Sequence, residues 1–342
     1  MIKLTKAYTS TVLYATEFLG YMHYTNICDI VVLRLHDRRM TDERNFRSQY
    51  YEKVGFRSVE EKKSLEILLK ERPLDKTKLK QFCLRFTVPA MYRNFLWKVL
   101  LDVIPVYSES QGFIMTQRKA EFQDLQRALR VAKIIDDFTK PHLIFLAMWL
   151  LRKRRAKVDM AAQLESPLYR AMSKMAETLW YVIDIESEEE KLVDMYWILS
   201  GLFVQVEKLQ KEVGKLQDCT YALLEKEDVE LYKHLVKIDA LYNLPYDIWF
   251  YSCFAGIICN GSIAKIWDKI TVGAYRILIF VAVVTLTTLR RLLLRCESID
   301  HVLDTINNIT EEASEVIVNK AIESIQQSGT TQQVDMYFTK HN

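Results

Sequence analysis

Apolar residues recur along most of the chain at three- and four-residue spacing, the period of a helix with one buried face. Ile263, Ile266, Trp267 and Ile270 fall at i, i+3, i+4 and i+7, so they stack in one stripe. The same wheel sets Lys265, Asp268 and Lys269 facing water. Asn260, Gly261 and Ser262 read as the turn and N-cap before this helix, and Gly273 as its C-terminal stop. Val59, Leu65, Leu68 and Leu69 form an earlier stripe, opened by the capping-box pair Ser58 and Glu61 and closed by Pro73. Leu79, Phe82, Cys83 and Phe86 form the next, closed by Val88-Pro89. Val206, Leu209, Val213 and Leu216 continue one helical pattern beside alternating charge. Ser298 caps a helix carrying Ile299, Val302, Leu303 and Ile306, Asn307-Asn308 interrupts it, and Glu311 to Gln327 is a last helix. Ile277 to Leu289 carries no charge but falls short of the roughly 20 residues a membrane crossing needs, so it predicts a buried central helix.

Composition narrows the class. The 342 residues include 9 Gly and 6 Pro, too few for a turn-rich all-β fold, and the expectation is all-α. A net charge of +3 gives no field strong enough to hold nucleic acid by charge alone. The six cysteines have neither Cys-x-x-Cys spacing nor a nearby His pair, which argues against a zinc site or a disulfide framework and for a reducing, cytoplasmic setting. No Gly-rich phosphate loop is present, and no cofactor is expected. Arg152 to Lys157, RKRRAK, reads either as a solvated helix end or loop, or as a nuclear signal or lipid contact. Met1 to Arg39 carries Glu17 and Asp29 where a signal sequence would need an apolar run.

The order of elements is more specific than any one of them. Arg93 and Trp97 share a helix face four residues apart and precede Leu100-Leu101. Far downstream come Trp249-Phe250, Phe254-Ala255, Ile266-Trp267-Asp268 and Gly273. This succession resembles the TBC domains, a family of two-lobed all-helical activators of Rab-type GTPases. The resemblance covers about Arg44 to Gln327 and implies a domain over 40–327, with an N-terminal lobe over about 44–200 and a C-terminal lobe over about 201–327. Residues 1–39 are then an upstream extension or a gene-model artefact before a natural start at Met40, with a targeting segment as the alternative, and 328–342 a flexible tail. The Arg93 stem is expected to pack on the Trp97 indole. Tyr196-Trp197 resembles the family's aromatic pair, and Tyr232, His234 and Leu235 its His-Leu segment, where His234 reads as a structural hydrogen-bonder.

What the resemblance implies about catalysis is where this chain departs. The second family motif is Ile-x-x-Asp-x-x-Arg, whose arginine meets the charge developing on the transferred phosphoryl group, an effect worth roughly 10³ to 10⁵ in rate. Here it becomes Glu121, Asp124 and Arg127: the Asp and Arg keep their spacing, Glu121 replaces the apolar anchor, and Ala128-Leu129-Arg130 replaces Thr-Phe-Pro. Asp124 and Arg127 read equally as an ordinary pair on a wet helix face. The third motif, Tyr-x-Gln, supplies an amide that orients the attacking water. Its place falls at Tyr169-Arg170-Ala171, and a guanidinium has no acceptor for that task. Gln163 lies nearby without the motif around it.

Met40 to Lys70 resembles the opening of one branch of the family, the TBC-domain subunits of the tuberous sclerosis complex. That resemblance implies a non-catalytic scaffold that binds the coiled coil of hamartin. With tuberin, the complex would inactivate Rheb and restrain target-of-rapamycin signalling at the lysosome. The alternatives are a Rab-type GTPase activator working through Arg127, and a helical interaction module outside this pathway.

Overall fold

The computed structural model describes residues 59–330, apart from 158, 184 and 186. The expected Ser58 cap, the segment before it and the last residues of the tail lie outside the described residues. No strand occurs among the described residues, whose one β contact is an isolated bridge between Ala255 and Ile258. The fold is all-α. All described residues belong to one compact unit spanning Tyr51–Asn342.

The first helices are α1 (Val59–Lys70), α2 (Lys76–Arg85), α3 (Ala90–Leu100), α4 (Ser108–Val131) and α5 (Pro141–Arg152). Asp75 caps α2 by accepting from the Thr77 and Lys78 amides, and Pro141 supplies the first residue of α5, where a missing N–H costs nothing. A short α6 (Met160–Gln163) leads to α7 (Pro167–Val182) and to α8 (Glu188–Leu209). The acidic run that opens α8 has a local cause: Ser187 caps the helix, and Glu188, Glu189 and Glu190 lie at the positive end of its dipole.

The second half comprises α9 (Val213–Glu227), α10 (Val229–Lys237), α11 (Tyr246–Tyr251), α12 (Asn260–Ile270), α13 (Ile277–Thr288), α14 (Arg290–Leu293), α15 (Ile299–Asn307) and α16 (Glu311–Thr330). The apolar run is indeed a central helix: α13 packs against α16, α9 and α12, and Ile277 through Val283 are all buried. No described helix is long and apolar enough to cross a membrane.

Two sequence expectations shift. The stripe through Val206 and Leu216 is split between α8 and α9 by a tight turn at Gln210–Glu212, although its four apolar residues are all buried. Helix α12 begins at Asn260, with Cys259 at its N-cap position, so Gly261 and Ser262 lie inside the first turn. Residues 200 and 201, about where a lobe division is expected, lie within α8. Gly201 has a steric reason to be glycine: a Cβ there would stand 2.6 Å from Leu101 Cβ, where α8 passes the end of α3. Gly273 ends α12 as expected, at φ +84° with its N–H on Ile270 O.

Candidate functional site

Helix α3 carries two donor pairs at i, i+4, and each closes on one buried carboxylate. Arg93 Nε donates to Asp268 Oδ1 at 3.0 Å and its Nη2 to Asp268 Oδ2 at 3.3 Å, while Trp97 Nε1 donates to the same Oδ1 at 2.8 Å. Alongside, Asn94 Nδ2 and Lys98 Nζ donate to Asp194 Oδ2 at 3.0 and 2.7 Å. The first pair ties α3 to α12 and the second ties it to α8. The link between Arg93 and Trp97 is therefore a shared carboxylate.

Asp268 is 0 % exposed and Lys269 1 %, which corrects the expectation that both face water. A buried charge persists only where its hydrogen-bonding groups are met. Asp268 has the three donors just given. Lys269 Nζ donates to the main-chain carbonyls of Cys83, Leu84 and Phe86 at the end of α2, where a helix leaves its last carbonyls unpaired. Lys265 is half-buried and reaches Asn319 Oδ1 and Glu315 on α16. The hydrophobic stripe itself is as read: Ile263, Ile266, Trp267 and Ile270 are fully buried. Trp267 Nε1 donates to Cys253 O at 3.1 Å. Trp249, Phe250 and Phe254 are buried in one aromatic cluster with Tyr246. His234 Nε2 bonds Cys296 O at 3.0 Å, a structural contact.

The residues expected at the catalytic motifs look different. Arg127 and Asp124 pair at 3.8 Å on the outer face of α4, with side chains 77% and 74% exposed. Glu121 meets Arg152 Nε at 2.9 Å and so ties α4 to α5. Next to it Arg118 lies 4.1 Å from the Trp197 ring centroid, and Trp197 Nε1 donates to Arg118 O. Arg170 turns back on the main chain, with Nη2 donating to Glu165 O at 3.2 Å and Nε to Leu164 O at 3.4 Å. It stands on an open groove of about 900 Å³ whose walls include Ile248, Trp249 and Phe138.

Gln163, the nearby glutamine, is engaged elsewhere. It is buried, its Nε2 donates to Arg155 O at 2.7 Å, and its Oε1 accepts from Lys157 N at 3.0 Å. Both ends of the amide are thus engaged with the backbone of the basic loop. Sequence reasoning missed this clamp, and missed Lys269 and Asp194. The readable signal was the polar pair at i, i+4 on an otherwise apolar α3. Among the described residues, no group of three or more His, Cys, Asp or Glu side chains is placed to hold a metal ion.

No family model matches the chain. Curated relatives do. The chain is 39% identical over 284 residues to TBC1 domain family member 7 of Bos taurus, covering 82% of this chain and 94% of that protein. The Homo sapiens protein of the same name is 38% identical over 284 residues, with the same coverage. Among solved structures, the Ypt/Rab-GAP domain of Gyp1p superposes with a TM-score of 0.53 at 13% identity, covering 79% of this chain and 99% of that domain. The likeness to that domain concerns the fold, and the sequence relatives carry the kinship: this chain belongs to the TBC domain family.

Proposed function

We propose that the chain is a non-catalytic TBC-domain scaffold, a subunit of the tuberous sclerosis complex that binds the coiled coil of hamartin and supports tuberin-dependent inactivation of Rheb. On this reading it acts in the cytoplasm, is brought to lysosomal membranes through the complex, and restrains target-of-rapamycin signalling. The observation that carries the proposal is the contrast between two sets of family positions. Arg93 and Trp97 are locked onto the buried Asp268, whereas the place of the water-orienting amide holds Arg170, whose guanidinium bonds backbone carbonyls. Orienting a water needs a donor and an acceptor on one side chain, and arginine offers donors alone. The nearest glutamine, Gln163, has its amide committed.

Purification of the tagged full chain with its bound proteins tests this. Recovery of hamartin and tuberin together supports it, and recovery of neither overturns it. A Rab-type activator is the second reading. It has one observation in its favour: the Arg127 guanidinium is open to solvent and therefore reachable by a partner GTPase.

A further inference from the structure

The basic loop after α5 is held in shape. Arg154 N and Arg155 N donate to Leu151 O and Leu150 O, Arg154 takes a left-handed φ of 57°, and Gln163 clamps the far side through Arg155 O and Lys157 N. Between this loop and the start of α7 lies an open pocket of about 520 Å³. Arg154, Arg155 and Lys157 line it together with Ser166 and Tyr169, and among the described residues no carboxylate does. Ser166 stands at the N-cap position of α7 without using its hydroxyl as a cap, and the Tyr169 hydroxyl lies beside the Arg155 guanidinium.

The charge balance favours an anion. Five cations lie between Arg152 and Lys157, and among the described residues two carboxylates answer them: Glu121 on Arg152, and Glu207 on Lys153 and Arg155. Asp159, the next nearest in the chain, is occupied with the Ala161 and Ala162 amides. Arg154 and Lys157 have no carboxylate partner among the described residues. A single phosphate would leave most of the pocket empty. A ring bearing several phosphates matches both its size and its donors, since arginine forks suit phosphate oxygens and the two hydroxyls add neutral hydrogen bonds.

We infer that this pocket binds a multiply phosphorylated ring headgroup, supplied either as a free inositol polyphosphate or as the exposed end of a phosphoinositide. Titration calorimetry with inositol hexakisphosphate, and co-sedimentation with phosphatidylcholine vesicles with and without a phosphatidylinositol bisphosphate, test it on the full chain. The comparison is wild type, the surface pair Arg154→Asn with Lys157→Glu, and the control pair Lys226→Glu with Lys233→Glu, two exposed lysines away from the pocket. The expected result is saturable binding that weakens about tenfold or more in the pocket pair and stays near wild type in the control. Binding in the calorimeter alone identifies the free polyphosphate as the ligand, and phosphoinositide-dependent sedimentation identifies the lipid. The inference is overturned if neither probe binds saturably, or if both variant pairs weaken binding equally.

Discussion

Trp97 donates its indole N–H to the Asp268 carboxylate across 171 residues of chain, and Arg93 grips the same carboxylate from one turn earlier. Two family signatures that are far apart in sequence are thus one structural object. Removing the carboxylate strands a partly buried guanidinium and a buried indole N–H. Asp268→Ala is expected to cost about 3–5 kcal/mol. Trp97→Phe, which deletes the N–H and keeps an aromatic ring, should cost less than Asp268→Ala. Denaturant unfolding of the two single variants and the double variant checks this. The double variant should lose clearly less than the sum of the singles, because the interaction they share can be lost once.

Lys269 gives a second discriminating substitution. A lysine facing water could be replaced by methionine within about 0.5 kcal/mol. Here Lys269→Met leaves the carbonyls of Cys83, Leu84 and Phe86 without their shared donor. A loss of about 2–4 kcal/mol is expected, read from the same unfolding curves.

These two residues also mark the limit of what the sequence discloses. Helical stripes were readable because buried apolar positions must recur at the helix period, and Ile263 through Ile270 behave accordingly. Asp268 and Lys269 were not, because periodicity treats every charge as a solvent-facing residue. Their partners sit on α3 and at the end of α2, and only the tertiary fold brings these elements to α12. The split between α8 and α9 was hidden for a related reason: Leu209 and Val213 stay apolar on both sides of the turn. At the candidate site, the exposed Asp124–Arg127 pair was legible from its i, i+3 spacing. The clamp by Gln163 was not, since a lone glutamine carries no periodic signal.

Cysteine chemistry should separate sharply by burial. Desolvation pushes the Cys83 and Cys253 thiols up to about 12, which leaves almost no thiolate at neutral pH. Iodoacetamide applied to the folded protein should leave both unmodified, and unfolding should expose them. Cys219 and Cys259, both half-buried, should label before them. Peptide mass spectrometry reads the order.

His142 makes stability sensitive to mild acid. Burial is the main reason its imidazole sits below the ordinary 6.5, with Lys140 and Lys174 adding to the effect and Glu177 opposing it. The unfolded chain therefore binds a proton at this site before the folded chain does. Stability held by the neutral ring is present above about 6.5 and is lost as pH falls through that value. The carboxyls of Asp136 and Glu177, themselves held below their usual ranges of 3.8 and 4.5, act at lower pH and leave this window clear. Thermal melts across the window should show a fall in Tm for wild type that is reduced in His142→Gln.

The most direct measurement is single-turnover GTP hydrolysis on a panel of Rab GTPases and Rheb, with the isolated wild-type chain beside Arg127→Ala. The scaffold reading predicts that neither protein raises the intrinsic rate of any GTPase, and that Arg127→Ala is as stable as wild type to within about 0.5 kcal/mol. A rate increase of the order of 10³ by wild type, abolished in Arg127→Ala, would contradict it.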